Sequence, residues 1–395
     1  MKKKTHFWMS LVFSLSLLFC TIAAGVIFLL QNGHKHAVVS SRGIVGAATA
    51  KARTIQQDTD LDTKNAALVK QINLKKSEID QYLSHSGFSG TAVVVSHGYV
   101  VLNKGYGYSN LLVHRPNQPE TEYYIGSITK SVTAVAFMQM KERGLISFDT
   151  PVSQFYPDFP HGRSISMLDL LCHVSGLRTA PETLKSLTRD ELVQKIANYN
   201  IRLSSLPGTS WAYMDANYAM VAAILDKISQ STYGETLHQY IQQNIFDRAG
   251  LQQSGFGDSM AQSSHPSTGY GNLNEPRMVP SFSQLLGCGD VYMSAWDLYQ
   301  FDRALADGTL VSAASYNTIF TNHFGGVHYS LGWYINRGGW GKDTYSSHGV
   351  LGGWNSGNAF SMDRQNYVVL LANSSRSSGI IAPANETIFN ILAGG

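Results

Sequence analysis

Charge is what this 395-residue sequence has least of. Asp, Glu, Lys and Arg together make up only 14% of it, with a net balance of +3. So small a balance excludes the electrostatic footprint of a nucleic-acid binder. Cysteine is scarce too. Cys20, Cys172 and Cys288 are an odd, scattered set of three, which is no disulfide framework. Cys172 and Cys288 read as small buried apolar residues. Cys20 lies in an N-terminal apolar run, where the bulky Phe19 before it argues against lipid attachment. No cluster of Cys, His, Asp and Glu has metal-ligand spacing: His34 and His36 lack further ligands nearby and read as a solvated segment. The glycines of Gly105-Tyr106-Gly107 are not followed by the rest of a nucleotide loop. The sequence therefore implies neither a metal nor a cofactor, and it shows no internal repeat.

What is present is apolar. Such residues make up 44% of the chain, enough for a sizeable core. After the basic start "MKKK", residues 7–30 carry no charge. As a helix they would be roughly 36 Å long, sufficient to span a hydrocarbon core of about 30 Å. A cleavable leader ending near Ala23-Ala24 is the alternative, but leaders have shorter apolar regions. The preferred reading is a cytoplasmic basic tail (1–6), a single transmembrane anchor (7–30), a polar extracytoplasmic spacer (31–65) and a domain from 66 to 395 outside the cell. An extracytoplasmic chain with so little cysteine fits a bacterial surface.

Within the domain, Ala66–Leu83 has helical spacing, and Gly90–Asn110 reads as two strands joined at His97-Gly98. Helices and loops dominate from about Gly144 to Gly257. Thr188 with Glu191 forms a capping box, and Ser294 with Asp297 is a similar helix start. Strand patterns return in "YSLGWYIN", "TYSSHGV", "NAFSMD" and "QNYVVLLAN", before a last helix over Pro383–Leu392. Strands at both ends and helices between predict an α+β fold: an antiparallel sheet drawn from both chain ends, flanked by helices, with an inserted all-helical lobe.

Chemistry is suggested by "YYIGSITKSVTAVAFMQM" (Tyr123–Met140). Residues three apart share a helix face, so Ser127 and Lys130 point the same way. A serine hydroxyl needs a base to become a nucleophile. A lysine can supply it if burial lowers its pKa, and the apolar neighbours Val132, Val135, Ala136 and Phe137 offer that burial. S-x-x-K alone occurs by chance in many chains, most often as an exposed lysine near a helix start, so further motifs must decide.

They are found in order along the chain. "YYIGSITK" resembles the first motif of the serine β-lactamase and penicillin-binding-protein-like superfamily. His173-Val174-Ser175-Gly176-Leu177 is similar to that family's H-T-S-G-L segment. Pro207-Gly208 followed by Tyr213-Met214-Asp215 resembles its turn and Y-x-N motif. Gly287–Phe301 resembles its glycine-rich segment leading to a helix, and His348-Gly349-Val350 its third motif. The resemblance runs from about Ala66 to the end. It implies Ser127 as nucleophile, Lys130 as base or proton relay, and Tyr213 sharing that proton traffic. It implies His348 on the opposite wall, positioning a substrate carboxylate or assisting the relay. His173 would be structural. The oxyanion hole would use the N–H groups of Ser127 and of the strand near Gly349 and Leu351.

Two positions depart from the pattern. Asp215 stands where the family has Asn, and Asn217 cannot replace it in helical register. A carboxylate only accepts hydrogen bonds, and close by it would favour a charged Lys130. Val350 stands where a bare glycine is expected beside the substrate. Both changes argue against a grip on an acyl-D-alanyl-D-alanine tail and toward a cationic substrate. The D-alanyl ester of a teichoic acid carries a free ammonium, and membrane-anchored members of the superfamily hydrolyse it. The expectation is therefore a serine esterase acting on that envelope polymer. The alternatives are a DD-carboxypeptidase or penicillin-interactive enzyme of peptidoglycan metabolism, and a wall-binding module without turnover.

Overall fold

The computed structural model describes residues 63–338 and 343–394. The basic tail, the anchor over 7–30, nearly all of the spacer, Cys20, His34 and His36 lie outside the described residues. No helix among those described is long and apolar enough to cross a membrane.

The fold is α+β, as the strand–helix–strand pattern predicts. Helix α1 (Thr63–His85) leads into a hairpin of β1 (Gly90–Ser96) and β2 (Tyr99–Tyr106), turned at His97-Gly98. A small ribbon, β3 (Tyr108–Asn110) with β4 (Arg115–Pro116), precedes β5 (Glu122–Tyr124). Then come α2 (Thr129–Glu142), the short α3 (Met167–Leu171), α4 (Arg189–Tyr199) and α5 (Asp215–Tyr233). Strands β6 (Ser254–Phe256) and β7 (Val291–Ser294) pair with β5 in a three-stranded sheet, and α6 (Ala295–Ala306) follows. The chain closes with β8 (Tyr334–Asn336), β9 (Thr344–Leu351), β10 (Trp354–Ser361), β11 (Asn366–Ala372) and α7 (Ile381–Ala393).

The main sheet has six strands in the order β2-β1-β11-β10-β9-β8, all antiparallel. The two chain ends meet within it, β1 against β11. Alternation along these strands feeds two cores. Val93, Val95, Val369 and Leu371 face the helical lobe, while Ala92, Val94, Val368 and Leu370 face the layer of α1 and α7. Strands buried on both faces explain why "TAVVVS" and "YVVLLA" are apolar without a break.

The local signals hold with small shifts. The Thr188–Glu191 capping box forms at the start of α4. Ser294 caps α6, but the Asp297 carboxylate turns away to accept from Gln252 N, Gln253 N and Ser254 Oγ. In "YSLGWYIN" only Tyr334–Asn336 is strand. Cys172 and Cys288 are free thiols, both buried, and burial raises both pKa values.

Candidate active site

Ser127 sits where β5 meets α2. Gly126 takes a left-handed φ of +53°, turning the chain into a 3₁₀ turn over Gly126–Ile128 that runs straight into α2. Ser127 is half-buried, and α2 behind it is buried along most of its length. Lys130, on the second residue of α2, is fully buried, and its three N–H donors are all used. One goes to Ser127 Oγ at 3.0 Å, one to Asp215 Oδ1 at 2.6 Å and one to the Cys288 carbonyl at 2.9 Å. The serine and the lysine therefore stand together as the S-x-x-K spacing predicts.

Of the two expectations for the lysine, lowering by burial and a charge favoured by a close Asp215, the second holds. Burial does pull its pKa down, but Asp215, Tyr213 and Cys288 outweigh it, and the net displacement is upward. Lys130 is thus an ammonium in the resting site. The apolar neighbours in sequence pointed to a neutral amine; the carboxylate at the start of α5 reverses that. Asp215 keeps 37% of its side chain exposed, so only one of its oxygens is committed to the lysine.

Tyr213 meets the ammonium with its ring face, the centroid 5.0 Å from Nζ. Among the described residues no hydrogen bond joins its hydroxyl to Ser127 or Lys130. The shared-proton role expected of it is not prearranged in this geometry. His173 stacks on the far face of this region, 4.3 Å from the Tyr213 centroid. Its Nδ1 accepts from Met214 N and Asn217 Nδ2, which places the ring proton on Nε2. Burial and the nearby Lys130 charge hold its pKa well below the ordinary value, so the imidazole is neutral. Asn217 also accepts from Ser175 Oγ and is fully occupied away from Ser127.

The β9 edge forms the other wall, one residue out of the expected register. Asp343 O accepts from Met362 N, continuing the β9–β10 pairing. Counting in twos from there, odd-numbered residues of β9 turn their backbone groups to β10 and even-numbered ones turn away. Leu351 therefore spends its N–H on the hairpin partner Trp354 and is not an oxyanion donor. Pairing with β8 stops at Ser346, so His348 and Val350 present their backbone groups beyond it. The Ser127 turn meets that edge: a Cβ on Gly126 would lie 2.8 Å from Val350 N and 2.9 Å from Val350 O. The donor facing Ser127 is Val350 N–H. Gly349 is the position that must be bare. A Cβ there would run into the Ile125 carbonyl and stand 2.7 Å from Ser127 N. Val350 points away with 60% of its surface exposed, so its branched side chain does not crowd the site.

His348 lies on the same strand face as Val350 and stacks on Tyr334 at 5.3 Å. Desolvation by the neighbouring walls and the Lys130 charge lower its pKa, although its side chain reaches the surface. It joins Tyr213 through a row of rings, with Tyr213–Tyr329 at 5.9 Å and Tyr329–Tyr334 at 5.0 Å.

The beta-lactamase family pattern matches residues 76–392. The chain belongs to the beta-lactamase family. Bacillus subtilis (strain 168) PbpX, which carries a penicillin-binding-protein name, is 36% identical over 332 residues, covering 83% of this chain and 81% of that one. A teichoic acid D-alanine hydrolase of Staphylococcus aureus (strain MRSA252) is 28% identical over 230 residues, covering 57% of this chain and 56% of that protein. The match thus spans little more than half of that relative. The crystal structure of FmtA from Staphylococcus aureus superposes with a TM-score of 0.72 at 23% identity, covering 81% of this chain and 90% of that chain, which shows the shared fold.

Within this family frame, sequence reading missed Tyr329, Tyr334 and the Cys288 carbonyl. "YSLGWYIN" offered a signal, two tyrosines beside the strand that edges β9. A main-chain carbonyl leaves no mark in a sequence. Asp215, His348 and Gly349 are brought to the site, each with a contact that only the folded chain defines. Among the described residues no group of acidic, His or Cys side chains could hold a metal ion.

Proposed function

We propose that this hydrolase removes D-alanyl esters from teichoic acid through an acyl-enzyme on Ser127. The observation that carries the reading is the Ser127–Lys130–Asp215 contact, with the second carboxylate oxygen left open. A D-alanyl ester brings an ammonium beside its reactive carbonyl. Alone, Lys130 would repel it; Asp215 compensates and offers the substrate an acceptor. The arriving cation also weakens the hold of Asp215 on Lys130 and lowers the lysine pKa. Lys130 then sheds a proton to solvent past the exposed carboxylate, and the neutral amine takes the proton of Ser127 as Oγ attacks the carbonyl carbon.

The tetrahedral oxyanion is held by the N–H groups of Ser127 and Val350, and loss of one such donor raises the barrier by roughly 3–4 kcal/mol in comparable sites. Collapse breaks the ester C–O bond, and Lys130 passes the proton to the departing alkoxide oxygen, which leaves as the polymer hydroxyl. Water then hydrolyses the acyl-enzyme and D-alanine leaves. Tyr213 and His348 belong to the aromatic wall along which the chain of the polymer is placed. In this reading the 7–30 segment anchors the protein and the domain works outside the cell on envelope polymer.

The exposed backbone of His348 and Val350 could also pair with an extended peptide, which favours the DD-carboxypeptidase reading as second choice. D-alanine release from D-alanylated lipoteichoic acid and from a peptidoglycan pentapeptide, measured in parallel, separates them. Release from the polymer, abolished by Ser127→Ala, is expected. Release from the peptide alone, with covalent labelling by a fluorescent penicillin, would overturn the esterase reading. Polymer binding with no release from either would leave a binding module.

A further inference from the structure

The Cys288 carbonyl that holds Lys130 belongs to a turn with little rigidity of its own, since glycines flank it at 287 and 289. Something must hold that turn. On the near side, Thr133 Oγ1 donates to Gly287 O at 2.8 Å. On the far side, the Asp290 carboxylate, almost fully buried, does two things at once. Its Oδ1 accepts from Gly287 N at 2.9 Å, and its Oδ2 accepts from His238 Nε2 at 2.7 Å. Gly257 N in turn donates to Asp290 O at 2.7 Å.

His238 is itself placed. Its ring stacks on Phe256 at 4.1 Å with a 16° tilt. It lines a cleft of about 360 Å³ with Leu187, Arg189, Asp258 and Phe282, on the other side of the turn from Lys130. Neither His238 nor Asp290 makes a hydrogen bond to Ser127 or Lys130; Asp290 lies in the glycine-rich Gly287–Phe301 segment, to which the family resemblance assigns no side-chain role, and His238 lies outside the resembling motifs.

We propose that Asp290 and His238 are positioning residues for Lys130. They fix the Gly287–Asp290 turn so that the Cys288 carbonyl meets the ammonium, orienting it toward Ser127. The inference rests on the reading of Lys130 as the group that handles the Ser127 proton. The charge balance agrees: burial would lower the His238 pKa, but Asp290 and Asp226 raise it overall, favouring the imidazolium beside Asp290.

The effect is on the chemical step, not on substrate binding, because the turn lies behind the lysine. In the full-length protein, His238→Leu removes the donor, and His238→Gln keeps one at similar reach. With D-alanylated lipoteichoic acid as substrate, His238→Leu is expected to lower kcat about tenfold, a change of one decade in the barrier term, with KM within about twofold. His238→Gln should restore most of kcat. Should the leucine variant fail to fold, His238→Asn, whose amide stops short of Asp290, takes its place. Lys130→Ala is run alongside. If it is inactive while His238→Leu and His238→Asn keep full kcat, the positioning role is overturned and the lysine reading stands. If Lys130→Ala keeps wild-type turnover, the underlying reading fails instead. A loss of thermal stability in His238→Leu with unchanged kcat, or a kcat loss not restored by glutamine, also overturns it.

Discussion

The two walls flanking Ser127 are built in opposite ways. On the helical side, Lys130 is buried and every donor it has is satisfied. On the sheet side, β9 runs past the end of β8 with backbone groups of His348 and Val350 turned outward. One wall is finished before substrate arrives; the other is completed by it. The contrast teaches where side-chain identity matters. A closed network fails when one partner is removed, because a buried charge is left uncompensated. An open backbone edge tolerates side-chain change wherever the side chain points away.

Substitutions can break this contrast in order of size. Lys130→Ala should abolish turnover, by roughly 10³-fold or more as for loss of an activating base, while circular dichroism stays native. Wild-type-like rates would end the lysine model. Gly349→Ala is the largest change expected on the sheet side, since its Cβ meets the Ile125 carbonyl and Ser127 N. A fall in kcat on the order of 10²-fold, the cost of losing an oxyanion donor, should accompany a lower melting temperature.

Asp215→Asn sharpens the comparison further. It removes the carboxylate that raises the Lys130 pKa and restores a donor for a substrate carbonyl. Hydrolysis of D-alanyl ester should fall about tenfold, the loss of one charge-assisted contact, while labelling by fluorescent penicillin rises. Unchanged behaviour toward both would remove Asp215 from substrate choice.

The support behind β9 titrates. Asp302 is buried on α6 and accepts from Asn358 Nδ2, whose Oδ1 accepts in turn from Ser347 Oγ. Burial pushes the Asp302 carboxyl from 3.8 up to about 7, against the lowering effect of Asn358. The folded state therefore keeps a proton that the unfolded chain has lost. Stability should fall as pH rises from about 4 to about 7, by a few kcal/mol at about 1.4 kcal/mol per pKa unit, and level off above. Urea titrations of Asp302→Asn should lack that slope. The smallest effect belongs to Val350→Gly: with the side chain directed to solvent, ester hydrolysis should change by less than about threefold. A large gain in penicillin labelling there would show that Val350 does crowd the site.

How much of this was legible follows from distance along the chain. Ser127 and Lys130 are three residues apart, and local helical geometry alone brings them together. The sheet drawn from both ends was legible because β1 and β11 are unbroken apolar runs. The charge of Lys130 was legible only conditionally: Asp215 was expected to favour the ammonium if it lay close, and that closeness is set by the fold, since Asp215 stands far along the chain at the start of α5. Which N–H of β9 faces Ser127 was not legible. Leu351 and Val350 are neighbours in sequence, and only the pairing of β9 with β10 says which N–H is free. The same long-range contact explains why Gly349, not the next position, must lack a side chain.

Strand β1 pairs with β2 on one side and with β11 on the other, and α7 packs near α1, with Lys75 Nζ donating to Leu392 O at 2.8 Å. Ser127 likewise meets Gly349 and Val350 only through β9. A chain emerging residue by residue therefore carries Ser127 long before the opposing wall exists. The two walls come together only when the last strands join the first, and α7, which packs on β10 and β11, then completes the layer that α1 begins over β2.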